Sequence, residues 1–229
     1  MTASSTHRRR TPPSPTALGT YTARVTVSDG ARTTSDTVAI DARGNQPPVP
    51  VIDSPAASTT WRVGQAISFS GHATDVEDGP LPAAALRWSL VLYHCPSNCH
   101  THYLQSWSGA GGASFAAPDL KYPSYLVLTL TATDSAGVSA STSLRLNPKT
   151  AKLTLLSSPT GLKLTVDGVT STATFSRTMI VGSAHTVSAP SSQSKSSIRY
   201  RFSSWSDGKP ATHTIVVTAA RSLTARYRR

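Results

Sequence analysis

LRWSLVLYHCPSNCHTHYLQSW, residues 86–107, contains two of the four tryptophans, both cysteines and three of the seven histidines of the chain. In its first half Leu86, Trp88, Leu90 and Leu92 fall at every second position, the period of a strand with one buried face. Thr101 to Trp107 reads as the returning strand, and Pro96, Ser97 and Asn98 between them are turn formers. The stretch is therefore a hairpin whose strand half is core and whose tip, His94 to His102, gathers reactive side chains. Filling a core is the first role of Trp88.

The alternation continues on both sides. Ile67, Phe69 and Gly71 form one run, Leu126, Leu128 and Leu130 another, and Val138, Ala140, Leu144 and Leu146 a third, with turn clusters between them. About seven strands over about 100 residues, with a tryptophan on the third major strand, predict an immunoglobulin-like β-sandwich over residues 46–148. Charged residues are 14% of the chain, and no long run repeats its apolar positions at helical spacing, so the class is all-β.

A chain of 229 residues has room for two domains and a remnant. Residues 1–16 are polar, basic and proline-rich and are expected to be a disordered tail; Arg8, Arg9 and Arg10 read as solvated. Residues 17–45 give two alternating strands, with Tyr21, Ala23, Val25 and Val27 on one face and Val38 and Ile40 on the return, joined through Asp29–Gly30. RGNQPPVP is a linker. Residues 149–229 read as six or seven short strands with tight turns at Asp167–Gly168 and Asp207–Gly208, a small basic β domain. The architecture expected is thus tandem β-sandwich modules behind a lone strand pair.

The formal net charge of +11 is unevenly spread: +3 over residues 1–45, −2 over 46–147 and +10 over 148–229. Alternation points several of Arg199, Arg201, Arg226, Arg228 and Arg229 the same way. No helix-turn-helix, zinc-finger or single-strand-binding pattern accompanies them, so nucleic acid is not the expected partner. A solvated face is the first reading and an anionic cell-surface polymer the functional one. No apolar run reaches the roughly 18–20 residues of a membrane helix, and Met1 to Arg10 lacks the apolar region of a signal peptide. A monomer is expected.

Four groups of residues are site candidates. Cys95 and Cys99 would lie about 13 Å apart on extended backbone, but the turn between them brings their Cα atoms within the roughly 7 Å that a disulfide needs. Such a short loop contributes about 2 kcal/mol. The sharper alternative is zinc or copper held by His94, Cys95, Cys99, His100 and His102, whose donors are right but all come from one loop; free thiols are the third reading. Asp75, Glu77 and Asp78, with Asp134, form a carboxylate group suited to calcium, against the plain reading of Asp-capped turns. Trp61, Tyr93, Tyr103 and Trp107 could stack on sugar rings, against packing between modules or over sheet edges. No cofactor is expected beyond these ions. For catalysis there is no nucleophile elbow, phosphate loop or HExxH, and one glutamate with ten aspartates leaves little acid–base material; the chain is expected not to be an enzyme.

Several motifs carry a resemblance. GTYT at 19–22, the alternating residues after it and the Asp29–Gly30 turn resemble the last two strands of a polycystic-kidney-disease (PKD) type domain, which implies early strands missing from this chain and a truncated reading frame. Ser157 to Gly168, Phe202 to Gly208 with its WSDG, and Ala225 to Tyr227 resemble the small PEGA-type β repeat of secreted bacterial proteins. Together with Glu77 to Gly79, His94 to His102 and Tyr122 to Leu126, the chain resembles the C-terminal accessory region that follows the β-propeller in glucose/sorbosone-type sugar dehydrogenases. That resemblance implies an extracellular setting and a parent protein whose separate catalytic domain holds the quinone cofactor. It leaves this chain a non-catalytic binding or spacer region for polysaccharide or cell envelope; a metal-binding module is the first alternative and a purely structural linker the second.

Overall fold

The computed structural model describes residues 19–42 and 44–229; the expected tail over 1–16, with Arg8, Arg9 and Arg10, lies outside the described residues. The described residues are all β apart from one short 3₁₀ turn at Ala83–Ala85. No helix among them is long and apolar enough to cross a membrane. The chain divides into two compact units, Met1–Gln46 and Pro47–Arg229.

The first unit is an antiparallel hairpin of β1 (Thr20–Ser28) and β2 (Thr33–Asp41), in continuous register from Thr20 opposite Asp41 to Ser28 opposite Thr33. In the turn, Asp29 Oδ1 accepts the amides of Arg32 and Ala31, which hold its carboxyl below its ordinary range, Arg32 most strongly. Val25, Val27, Val38 and Ile40 are exposed, because the sheet has two strands and no described residue of this unit covers its apolar side.

In the second unit the middle module runs through β3 (Val49–Ser54), β4 (Thr60–Trp61), β5 (Ala66–Asp75), β6 (Gly79–Pro80), β7 (Leu86–His94), β8 (His100–Ser108), β9 (Gly112–Ala116), β10 (Ser124–Thr133) and β11 (Ser139–Pro148). One sheet has the order β4-β11-β10-β7-β8; in the other, β5 pairs with β3 along one edge and with β6 and β9 along the opposite edge. The alternation seen in the sequence puts Leu86, Trp88, Leu90 and Leu92 of β7 and Leu126, Leu128 and Leu130 of β10 into one core with Ile67 and Phe69 of β5. Trp88 is fully buried and donates its indole N–H to Ala110 O at 2.9 Å. It fits because Gly71 faces it: a Cβ there would stand 3.0 Å from the Trp88 ring and 2.9 Å from Leu130, and would run into the Val51 carbonyl.

The last module contains β12 (Thr150–Ser158), β13 (Lys163–Val166), β14 (Val169–Thr172), β15 (Phe175–Ile180), β16 (Ala184–Ser188), β17 (Ser192–Lys195), β18 (Ile198–Trp205), β19 (Thr212–Val216) and β20 (Arg221–Arg228). They form sheets β15-β12-β20-β18-β17 and β14-β13-β16-β19 around a second core that includes Leu155, Leu164, Val187, Trp205 and Leu223. The β13–β14 turn, Asp167–Gly168, has φ of 48° and 81°, the two positive values that a two-residue type I′ hairpin demands. Trp205 of the WSDG motif is buried and donates to Ala211 O, so it buttresses its own turn.

No linker separates these two modules. Lys149 donates to Trp61 O at 2.7 Å, Val63 to Val181 O at 3.0 Å and Val181 to Lys149 O at 2.8 Å. Ile180, at the end of β15, belongs to the core of the middle module.

Candidate functional site

At the β7–β8 tip, the turn brings the Cys95 and Cys99 Cα atoms to 4.0 Å and the two sulfurs are bonded. The Cys95 amide donates to Pro123 O, tying the tip to the loop before β10. This corrects the metal set, since a disulfide leaves no thiolate to coordinate. What remains is a run of imidazoles: the register sets His94 opposite His100, and His102 follows two residues on. Ring centroids are 5.1 Å apart for His94–His100 and 4.9 Å for His100–His102, edge to face in both pairs. Burial holds His94 below the ordinary imidazole range, helped by repulsion from His100, His102 and Lys121. Among the described residues no three His, Cys, Asp or Glu side chains are grouped to hold a metal ion.

Three carboxylates of the calcium candidate accept hydrogen bonds from the turns around them, while Asp75 Oδ2 is buried without a partner among the described residues. Asp75 Oδ1 accepts the amides of Glu77 and Asp78, both at 2.9 Å. Asp78 accepts the Ser135 amide and hydroxyl at 2.7 and 2.8 Å, and Asp134 Oδ1 accepts the Val138 amide at 2.8 Å. The Asp75 and Asp134 bonds are local turn caps, and the Asp78 bonds clasp the β5–β6 turn to the β10–β11 turn.

One of the four sugar-stacking candidates is corrected: Trp61 is completely buried and donates to Leu146 O, so it is inaccessible as a stacking platform. Trp107, opposite Trp88, packs edge-on against Phe69 with centroids 4.8 Å apart and is half-buried at the margin of the core. Tyr103 is 64% exposed on the edge strand β8. Tyr93 lies on the outer face of the sheet and stacks in parallel on Tyr125, at 5.0 Å and 6°.

That stack extends into a feature absent from the sequence reading. The Arg145 guanidinium lies 3.6 Å from the centroid of the Tyr125 ring, and its Nε donates to Asn147 Oδ1 at 2.9 Å. Tyr93, Tyr125 and Arg145 sit on the adjacent strands β7, β10 and β11, so three flat groups form a band across the sheet. Tyr125, Arg145, Tyr122 and Asn147 line a groove of 510 Å³ together with the disulfide. Further along the same face, Thr129–Ser143, Thr131–Ser141 and Thr133–Ser139 are hydrogen-bonded hydroxyl pairs at 2.7–2.8 Å. Alternation could have placed Tyr93 and Tyr125 opposite the Trp88 side; only the register joins them to Arg145.

A second arrangement also depends on register. Ser183 Oγ lies 2.6 Å from His185 Nε2, and His185 Nδ1 lies 2.7 Å from Asp167 Oδ2. These are serine–histidine–aspartate distances, but Ile180 O also lies 2.6 Å from the Ser183 hydroxyl and competes with the ring for its one hydrogen. With Ser183 at 0% exposure, no substrate carbonyl reaches the oxygen in this arrangement. The three residues brace β16 against the Asp167–Gly168 turn.

No family model matches the chain, and neither a curated protein nor a solved structure shows a match to it.

Proposed function

We propose that the chain is a non-catalytic, extracellular accessory region that binds polysaccharide through the outer face of an immunoglobulin-like middle module and is carried by a protein whose chemistry resides in another domain. The observation that carries this reading is the Tyr93–Tyr125–Arg145 band beside a 510 Å³ groove. Sugar rings present C–H faces that stack on aromatic rings, and their hydroxyls need the polar groups found here: Asn147, the free N–H groups of Arg145 and the Ser/Thr pairs. The disulfide suits an oxidising compartment. The sheet order, the parallel β4–β11 edge and the buried tryptophan on β7 support the immunoglobulin-like assignment. A PKD-like strand pair before it and a PEGA-like module after it complete the proposed organisation.

The test is affinity electrophoresis or calorimetry against neutral and acidic polysaccharides. Tyr125→Ala and Arg145→Ala each weaken binding about tenfold or more, while Tyr125→Phe retains it, consistent with about 1–3 kcal/mol per stacked ring. Binding that survives both alanine variants in a folded protein refutes the groove. Binding to nothing in the panel favours the structural-linker reading.

A further inference from the structure

We infer that the outer face of the sheet β15-β12-β20-β18-β17 is a second binding surface, built for an anionic polysaccharide. On β18, Tyr200 and Trp205 are buried, which turns Arg199 and Arg201 outward; on β20, Ala225 and Tyr227 are buried, which turns Arg226 and Arg228 outward. The register sets Arg201 directly opposite Arg228 and Ser204 opposite Arg226. All four arginines are exposed.

Like charges directly opposite on one sheet face oppose folding, so this arrangement calls for an anion. The module does not supply one from its own acidic side chains. Of its two carboxylates, Asp167 is engaged by His185 on the other sheet, and Asp207 by His213 at 3.3 Å and Arg221 at 3.5 Å. Among the described residues no ion pair neutralises Arg199, Arg201, Arg226 or Arg228. Their neighbours on that face are short hydroxyls, Ser158, Ser192, Ser194 and Thr224, which leave the guanidinium groups accessible from above.

The shape selects the kind of polyanion. Single-stranded nucleic acid is held by stacking bases on aromatic side chains, and here Tyr200, Phe202, Trp205 and Tyr227 all belong to the inner core. Five strands at about 4.8 Å spacing make a plane about 19 Å across, too wide to enter a major groove of about 12 Å. A flat face with guanidinium groups about 7 Å apart along a strand suits an extended chain bearing an anion at each repeat. Arginine binds planar carboxylates and sulfates with two parallel N–H donors. The partner is thus a polysaccharide carrying carboxylate or sulfate groups. This surface does not rest on the aromatic groove, which lies on a different sheet.

The test uses the full chain with polygalacturonate, heparin, neutral dextran, duplex DNA and vesicles of phosphatidylcholine with 25% phosphatidylglycerol. At low salt the expected result is binding to polygalacturonate or heparin that falls steeply with ionic strength, and no binding to dextran at this face. Arg201→Ser with Arg228→Ser lowers that binding at least tenfold and raises or preserves the urea midpoint, because the opposed charges are gone. Lys163→Ser with Lys209→Ser removes equal charge elsewhere and leaves binding within twofold; Tyr125→Ala also leaves it intact. Equal losses in the two double variants would reduce the effect to net charge and overturn the inference, as would tighter binding to DNA or vesicles than to either polysaccharide. Binding to neither acidic polymer overturns it outright.

Discussion

Replacing His185 by alanine tests whether the buried Ser183–His185–Asp167 chain is a brace. The side chain is 3% exposed and makes two hydrogen bonds, with a carboxylate at 2.7 Å and with a hydroxyl at 2.6 Å. Removing a hydrogen bond to a charged acceptor costs about 1.5–3 kcal/mol and one between neutral groups about 0.5–1.5 kcal/mol. Asp167 keeps 22% exposure, so water recovers part of its loss, while the space left by the ring adds to the cost. The net expectation is a loss of about 2–4 kcal/mol, which for a unit of this size is a fall of roughly 4–16 °C in melting temperature. Asp167→Asn, which tolerates the positive φ, should cost about 1–2 kcal/mol, and Ser183→Ala about 1 kcal/mol. Urea unfolding with unchanged slope measures all three, and the Ser183/His185 double-mutant cycle should show coupling above about 0.5 kcal/mol. A fluorophosphonate probe should leave native Ser183 unmodified. A loss below about 0.5 kcal/mol for His185→Ala, or an adduct at Ser183, would refute the reasoning.

Three further outcomes follow from packing and charge. Gly71→Ala should destabilise the second unit by about 1–3 kcal/mol through overpacking against Trp88, Leu130 and the Val51 carbonyl, read as a lower urea midpoint. Reducing the disulfide should cost about 2 kcal/mol by the loop-entropy estimate, measured by comparing midpoints with and without reductant. The third concerns His94, whose folded value lies below the ordinary 6.5: the unfolded chain takes up the proton first, so stability present above pH 6.5 is lost as pH falls through the folded value. His94→Asn should flatten that acid-side decline, and NMR titration should find the His94 ring protonating below 6.5.

The residues that alternate with large apolar groups were legible in the sequence. Leu86 to Leu92 and Leu126 to Leu130 define their strands by period alone, and Pro96 to Asn98 mark the tip that lets the two cysteines meet. Trp61 and Trp107 were not, because an isolated tryptophan in a two-residue strand or beyond a bulge carries no period to show which way it faces. Tyr125 and Arg145 lie 20 residues apart in the chain, and whether they meet depends on pairing between β10 and β11. The same is true of Asp167 and His185, joined by the β13–β16 register. Short polar strands such as β17, SQSK, lack the alternation by which strands are recognised, and it is this strand that closes the arginine-bearing sheet.

The joint at Lys149 bears on how the protein can be dissected. A cut between Pro148 and Thr150 would sever a strand connection and withdraw Ile180 from the core of the first fragment, while exposing on the second the strand end that Val63 now covers. Neither piece would inherit a finished surface. Recombination between such proteins would therefore have to exchange residues 47–229 as one block, or carry Trp61, Val63, Ile180 and Gly182 across together.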